Sequence, residues 1–423
     1  MKNDTSYIKA SSYEAHLGNV KKVLLLYSGG LDTSVILKWI QDHYKAQVVT
    51  LTLDIGQQHD HLEIIKQKAL KFGAVKAITL DARDDFAENY LAKGIKANAC
   101  YQGNYHLSTP MGRAILAKKA VEVAEKENCD CIAHGSTGKG NDQVRIEAYA
   151  LTLNPKIKII APVREWNMSR DEEIAYAKDN NIPVPASIDF PYSDDDNMWG
   201  MTWEGGEIEE PNLIAPIEKF LTTYTLAKNS PDNEEFITLG FKEGLPIALN
   251  EKPMPLAILV EELNKLGGKH GVGVVHMFED RLVGVKNGGV YEQPGAHIII
   301  ETHKALERYV STRQLNELKS TLDIKWGYLC YGALWYDPVM EAINAFNEEV
   351  NRKVTGKVTV KLYKGNVTVV AMESPFGLDH TSFNNFGGYP FNVNASAGFI
   401  EVYSLQMKLA NQIEKKLKRI SRI

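Results

Sequence analysis

Cysteine is scarce: four in 423 residues, at positions 100, 129, 131 and 330. None forms a C-x-x-C pair, and Cys129-Asp-Cys131 has no second pair at zinc spacing, so neither a disulfide framework nor a thiolate metal site is expected. Long hydrophobic runs are also missing. The strongest, 23–27 and 255–260, fall far short of the roughly 18 apolar residues of a membrane-spanning helix. No single charge sign dominates: 48 basic residues stand against 53 acidic ones, a formal net charge of −5. That balance does not suit a nucleic-acid coat. The N-terminal stretch has no apolar h-region, so a secretory signal is not expected and the default location is cytoplasmic. Internal repeats and low-complexity segments are absent. What remains, 44% hydrophobic and 24% charged residues, is the balance of a globular chain of two or three domains.

From residue 21 to about 188 the pattern alternates. Residues 23–27, 48–53, 75–80, 129–134 and 156–160 read as short buried strands. Residues 33–43, 61–72, 113–127 and 169–179 read as amphipathic helices. Such alternation implies an α/β fold with a parallel sheet covered on both faces, and ligands of such sheets sit at the carboxyl ends of the strands. Residues 189–211, rich in Asp, Gly, Trp and Met, show no period and read as a long functional loop. Beyond them the pattern becomes α+β. Hairpins are expected at 235–250 and 354–373, and paired strands at 272–278 and 282–286. Helices are expected at 256–266, 296–322 and 337–352, the last opened by Asp337-Pro338. Apolar residues at Ile400, Tyr403, Met407, Ile413, Leu417 and Ile420 mark a C-terminal amphipathic helix. It ends in Lys415, Lys416, Lys418, Arg419 and Arg422, and packing or subunit contact is its expected use.

Two loops carry the chemistry. Ser28-Gly-Gly-Leu-Asp-Thr-Ser34 joins the first strand directly to a helix. A glycine turn at a helix start presents free backbone N–H groups to an anion, with Ser28, Thr33 and Ser34 adding hydroxyls. It is neither a Walker A sequence nor G-x-G-x-x-G. The second loop, His134-Gly-Ser-Thr-Gly-Lys-Gly-Asn-Asp-Gln-Val-Arg145, follows another strand. Asn141, Asp142 and Arg145 fall on one helical turn, where a cation, a carboxylate and an amide suit a zwitterionic amino acid. By residue chemistry alone, a solvated Asp–Arg pair is an equal reading.

The first loop resembles the PP-loop of N-type ATP pyrophosphatases. The wording of both loops together resembles the argininosuccinate synthase family. Asp54-Ile-Gly-Gln57, Tyr192-Ser-Asp-Asp-Asp-Asn197, Gly268-Lys-His-Gly-Val-Gly273, Glu279-Asp-Arg281, Gly289-Val-Tyr-Glu-Gln-Pro-Gly295, Glu373-Ser-Pro375 and Ala397-Gly-Phe-Ile400 extend the likeness in order to about residue 410. The resemblance implies that Leu26, Tyr27, Ser28, Gly29, Gly30, Leu31, Asp32, Thr33 and Ser34, the backbone at Leu53, and Gly135 with Thr137 hold ATP. It places Asp195 near the nucleotide. It assigns aspartate to Thr137, Asn141 and Asp142. Citrulline falls to Tyr105, Asn141, Arg145, Ser193, Thr202, Glu204, Glu279 and Tyr291. Many relatives carry a serine for citrulline where this chain has Pro110, and Thr109 is the substitute hydroxyl. Two further departures are Gly288, where a basic residue is common, and Leu53, where a small one is.

The implied reaction is ligation. The ureido oxygen of citrulline attacks the α-phosphate of ATP, pyrophosphate leaves, and the amine of aspartate displaces AMP to give argininosuccinate. Mg²⁺ accompanies the phosphates, no resident metal site is expected, and Asp142 is the candidate proton acceptor. Expected partners are the three substrates, with no nucleic acid or membrane, and further copies of the chain, most simply a homotetramer. The expected organisation is an N-terminal extension over 1–20, an ATP-binding domain over 21–188, a synthetase domain over 189–398 and an oligomerisation helix over 399–423. Alternatives are another PP-loop adenylating enzyme, such as a tRNA thiolase, and a non-catalytic sensor of ATP and amino acids.

Overall fold

The computed structural model describes residues 15–57, 62–166, 168, 170–184, 191–222, 225–379 and 392–420. Residues 1–14 of the expected extension, His61, Ser169, residues 185–190 and Arg422 lie outside the described residues, as does the side chain of Arg419. The chain divides into two compact units, one up to Phe376 and one from Gly377 onward.

The first strands are β1 (Lys22–Leu26), β2 (Gln47–Asp54), β3 (Lys76–Asp81), β4 (Cys131–Ala133) and β5 (Lys158–Ile160). They form one sheet in the order β3-β2-β1-β4-β5, with every neighbouring pair parallel. The unbroken apolar run at β1 follows from burial on both faces. Val23, Leu25 and Tyr27 pack with Leu37 and Ile40 of the helix Leu31–Tyr44, while Leu24 and Leu26 pack with Val121, Ala124 and Ile146 on the other side. From β1 the order runs to β2 and β3 on one side and to β4 and β5 on the other. The carboxyl ends of β1 and β4 therefore flank a switch point, the place where such sheets open a crevice.

The rest of the first unit supplies β6 (Ser193–Asn197), β7 (Gly200–Glu204), β8 (Glu235–Lys242), β9 (Leu245–Leu249), β10 (Lys252–Pro253), β11 (Val274–Glu279), β12 (Asn287–Glu292), β13 (Gly356–Tyr363) and β14 (Asn366–Glu373). These make two sheets, β11-β12-β7-β6 and β10-β9-β8-β13-β14, antiparallel throughout. The expected hairpins at 235–250 and 354–373 are present. So is the helix opened by Asp337, whose carboxylate accepts from Val339 N–H at 2.8 Å.

Five expectations are corrected. The stretch 189–211 is not one loop: β6 and β7 form a hairpin within it, anchored by the buried side chains of Met201 and Trp203. The partner of β11 is β12, not residues 282–286. Leu282 and Val285 are exposed, whereas Gly288 lies so close to the Ile208 carbonyl that a Cβ would stand 2.0 Å from its oxygen. The helix expected at 296–322 is two, Pro294–Val310 and Arg313–Tyr331, separated where Thr312 caps the second by accepting from Leu315 N–H. The C-terminal segment likewise holds two helices, Ala395–Tyr403 and Leu405–Ile420. The helix expected from residue 113 starts at Ser108. Pro110 falls in its first turn, where no intrahelical donor is needed.

All four thiols are free. Burial pushes those of Cys100 and Cys129 up to about 11. Among the described residues no helix is long and apolar enough to cross a membrane.

Candidate active site

The first loop leaves β1 and enters the helix Leu31–Tyr44 without a side-chain cap at Gly30. The first N–H groups of that helix are thus left for a ligand. Gly29 has φ +80°, and a Cβ there would lie 2.9 Å from Ile65 Cγ1, so both conformation and space demand glycine. The Ser28 and Thr33 hydroxyls are 3.2 Å apart. Ser34 differs from expectation: fully buried, its hydroxyl donates to the Gly30 carbonyl at 2.7 Å and meets the Tyr27 hydroxyl at 2.9 Å. It braces the loop from behind. The Gly29 carbonyl accepts from the Lys68 ammonium.

A cavity of about 540 Å³ opens over this loop. Leu26, Tyr27, Ser28, Gly30, Leu31, Asp32, Thr33, Leu53, Gly135 and Asp195 line it, while Gly29, Ser34 and Thr137 do not. Its size is that of a small-molecule site. The Leu53 carbonyl already accepts from the Gln57 amide at 3.0 Å.

A second cavity, about 410 Å³, adjoins it and shares Ser28, Arg113, Gly135, Ser136, Asp194 and Asp195. Tyr105, Thr109, Thr137, Asn141, Asp142, Arg145, Ser193, Thr202, Glu204, Glu279 and Tyr291 all line it. Strand register explains much of that gathering. Ser193 lies opposite Glu204, Asp195 opposite Thr202, and Thr202 opposite Tyr291. Alternate residues share one face of a strand, and cross-strand partners share it too. The β6–β7–β12 face thus presents Ser193, Asp195, Thr202, Glu204 and Tyr291 together, and the same parity in β11 adds Glu279. From the opposite side the Tyr105 ring stacks on that of Tyr291 at 4.2 Å between centroids. The Tyr105 hydroxyl accepts from Thr109 N–H at 3.0 Å, and Thr109 Oγ1 lies 3.3 Å from Thr202 Oγ1.

The charges are arranged in a chain. Arg113 lies 2.9 Å from Asp142 and 2.8 Å from Asp195, at the junction of the two cavities. Arg145 donates to Asp142 at 2.9 Å. Burial works against charge on Arg113, Asp142 and Arg145. Nevertheless Arg113 and Arg145 hold the Asp142 carboxyl below its ordinary value, and Asp142 and Asp195 raise Arg113 above its own. The buried Nη2 of Arg145 has no partner among the described residues, which leaves a cationic donor for an anionic group. Burial pushes Glu204 up to about 7, with Asp142 and Glu279 adding to the rise and Arg281, 2.9 Å away, opposing it. Burial also raises Glu279, against the hydrogen bonds from Tyr331 and Tyr291.

Sequence reasoning missed Arg113, Arg281 and Tyr331, all of which line the second cavity. Arg113 stands one turn into a helix whose start was misplaced, and Arg281 follows a strand end with no charge pattern of its own. Tyr331 closes the helix Arg313–Tyr331, between the motifs at 289–295 and 373–375 and outside both.

Comparison with known proteins agrees with this geometry. Residues 22–183 match the family model described as the arginosuccinate synthase N-terminal HUP domain, and residues 192–410 match the arginosuccinate synthase C-terminal domain. A relative named argininosuccinate synthase from Pyrococcus furiosus is 46% identical over 390 residues, covering 92% of this chain and 94% of its own. Relatives of the same name from Geobacillus kaustophilus and Streptococcus mutans are each 44% identical, covering 94% of this chain and 97% and 99% of theirs. With both loops in place at one switch point and the likeness running nearly end to end, the chain belongs to the argininosuccinate synthase family.

Proposed function

We propose that this chain joins citrulline to aspartate at the expense of ATP, releasing pyrophosphate and AMP. The observation that carries the reading is the shared floor of the two cavities, Ser28, Arg113, Gly135, Ser136, Asp194 and Asp195. One cavity has a phosphate-binding loop and the other has charges for two amino acids, so the reacting atoms meet at the junction.

The free helix N–H groups with Ser28 and Thr33 hold the β- and γ-phosphates and stabilise departing pyrophosphate. Leu26, Leu53 and Gly135 enclose the nucleoside. Mg²⁺ arrives with ATP as part of the substrate, and the acidic groups of the floor, Asp194 and Asp195, with Asp32 of the first cavity, are chemically suited to it. Arg145 Nη2 takes the carboxylate of citrulline. Glu279 and Glu204 take its ammonium, and Tyr105, Thr109, Ser193, Thr202 and Tyr291 bound its length. Thr137, Asn141 and Asp142 hold aspartate, with Asp142 facing its ammonium. Arg113 is the cation nearest the charge that develops as the ureido oxygen attacks phosphorus. The cations that keep Asp142 ionised also make it a weak proton acceptor at neutral pH, while Glu204 sits near the pH where acceptance is efficient.

The raised, buried thiols do not fit a thiolation enzyme. The domains are proposed as 21–188 for nucleotide and 189–398 for amino acids. Residues 399–423 are proposed for assembly, most simply into a tetramer in the cytoplasm; exposed apolar residues along both C-terminal helices support that use.

The test is pyrophosphate release from MgATP with citrulline, aspartate, both and neither. Release that requires citrulline and is sustained only with aspartate is expected. ATP binding without release in any combination would turn the reading toward the sensor.

A further inference from the structure

Glu279 is 5% exposed, and each of its oxygens receives a phenol: Tyr291 donates to Oε2 at 2.8 Å and Tyr331 to Oε1 at 2.7 Å. The two phenols differ in what lies behind them. The Tyr331 hydroxyl also accepts from the Asn141 side-chain amide at 2.8 Å, and the Asn141 carbonyl oxygen in turn accepts from Leu282 N–H at 2.9 Å. The orientation of the Asn141 amide is thereby fixed, and the single proton of Tyr331 can go only to Glu279. Arg145 is held by the same residue. Its Nε donates to the Tyr331 carbonyl at 3.2 Å, and its guanidinium lies 4.8 Å over the Tyr331 ring. That leaves Nη2 buried and without a partner among the described residues, on a side chain that lines the cavity. The ring itself is clamped from behind by Tyr101, stacked at 3.7 Å and 5°.

We infer that Tyr331 is a positioning residue of the amino-acid cavity, which aims Asn141 and Arg145 from one half of the site and keeps Glu279 an anion in the other. This rests on the function proposed above. Nothing in the two loop motifs points to it, because the residue enters as the last turn of the helix Arg313–Tyr331. A buried carboxylate without donors takes up a proton, whereas two hydrogen bonds to its charged form oppose that uptake. Glu279 faces cations at Arg145 and Arg281, an acid at Glu204, and the phenols of Tyr101, Tyr105, Tyr291 and Tyr331. Among these, Tyr331 is the link between Glu279 and Asn141.

Tyr331→Phe keeps the ring and the backbone carbonyl, hence the hold on Arg145, and removes only the hydroxyl. Citrulline affinity of the full chain without nucleotide is measured from pH 5 to 9, with ATP affinity alone as the check on folding. We expect citrulline binding to weaken about tenfold at pH 7.5 and ATP binding to stay within twofold. We also expect the loss of citrulline binding on acidification to begin about one pH unit higher than in the parent. The ionisation of Glu204, whose partner is Arg281, should stay in place. Glu279→Gln should abolish the limb that moves. An unmoved limb and unchanged affinity in Tyr331→Phe would reduce Tyr331 to packing, and a moving limb that survives Glu279→Gln would also overturn the inference. If the parent protein itself shows no citrulline-dependent pyrophosphate release, it is the proposed function that fails.

Discussion

Asp142 shows how little a residue's identity says before its neighbours are known. In sequence it is one acid three residues ahead of an arginine, as consistent with a solvated pair worth about 0.2–0.5 kcal/mol as with a ligand-binding group. In the fold it is flanked by two guanidinium groups, at 2.9 Å from each. The carboxyl is held below its ordinary value, so it is an anion at any working pH and a poor base. Asp142→Asn is therefore expected to raise the KM for aspartate at least tenfold while kcat falls only a few-fold, read by steady-state pyrophosphate release. A hundredfold loss of kcat at unchanged KM would restore the expected role of proton acceptor. Glu204 behaves oppositely. With its carboxyl near 7, it gains charge as pH rises through neutrality, so ammonium binding strengthens from pH 6 to 8. A plot of kcat/KM for citrulline against pH should carry an ionisation near 7 that is missing in Glu204→Gln. If the ionisation persists in the variant, it belongs to another group.

At the scale of elements, the parts that could be read were those where one face or one turn decides the structure. Val23-Leu-Leu-Leu-Tyr27 fixes a strand buried on both sides, and Gly29-Gly30 after it fixes the turn, so the cavity proposed for the nucleotide was legible from a dozen residues. The amino-acid cavity was not, because its face is assembled from strands that do not look like strands. Ser193-Asp-Asp-Asp-Asn197 has no apolar alternation. It holds its place through pairing with β7, whose other edge is covered by β12. The residues at alternate positions, Ser193 with Asp195 and Thr202 with Glu204, were named singly from the resemblance, although a hairpin register would have placed them on one face. The β12 error has a like cause. Leu282 and Val285 carry the apolar signal, but the backbone pairs where Gly288 lets it approach Ile208. Two glycine substitutions separate these elements. Gly29→Ala combines a left-handed φ with a 2.9 Å contact to Ile65, and should distort the loop at a cost of about 1–3 kcal/mol. It should raise the KM for ATP more than tenfold and leave the citrulline affinity of the ATP-free protein little changed. Gly288→Ala puts a Cβ 2.0 Å from the Ile208 oxygen in strand β12. It should lower Tm by several degrees and weaken citrulline binding through the displaced Tyr291, with ATP affinity intact. Equal effects of both variants on both ligands would mean that the two cavities do not respond as separate elements.

For the whole molecule, the remaining feature is an apolar surface that the described residues leave exposed. In the second unit Phe399, Ile400, Tyr403, Met407, Ile413, Leu417 and Ile420 are all more than half exposed. They recur at the three- and four-residue steps of a helix stripe. Single exposed apolar residues need no explanation, but a contiguous stripe over two helices exceeds what an isolated soluble chain usually leaves to water. The lysines at 415, 416 and 418 sit at the helix C-terminus, where cations oppose the macrodipole without any membrane. Burial of the stripe between copies of the chain is the cheaper arrangement, and closed symmetric assembly is the common outcome. The described residues that line the two cavities belong to the first unit. Removing residues 395–423 should therefore convert an oligomer to a monomer by sedimentation velocity while ATP affinity per chain stays within twofold. A full-length chain that sediments as a monomer, or one that binds anionic vesicles through this segment, would refute the assembly role. Loss of ATP binding on truncation would show that the stripe supports the nucleotide cavity itself.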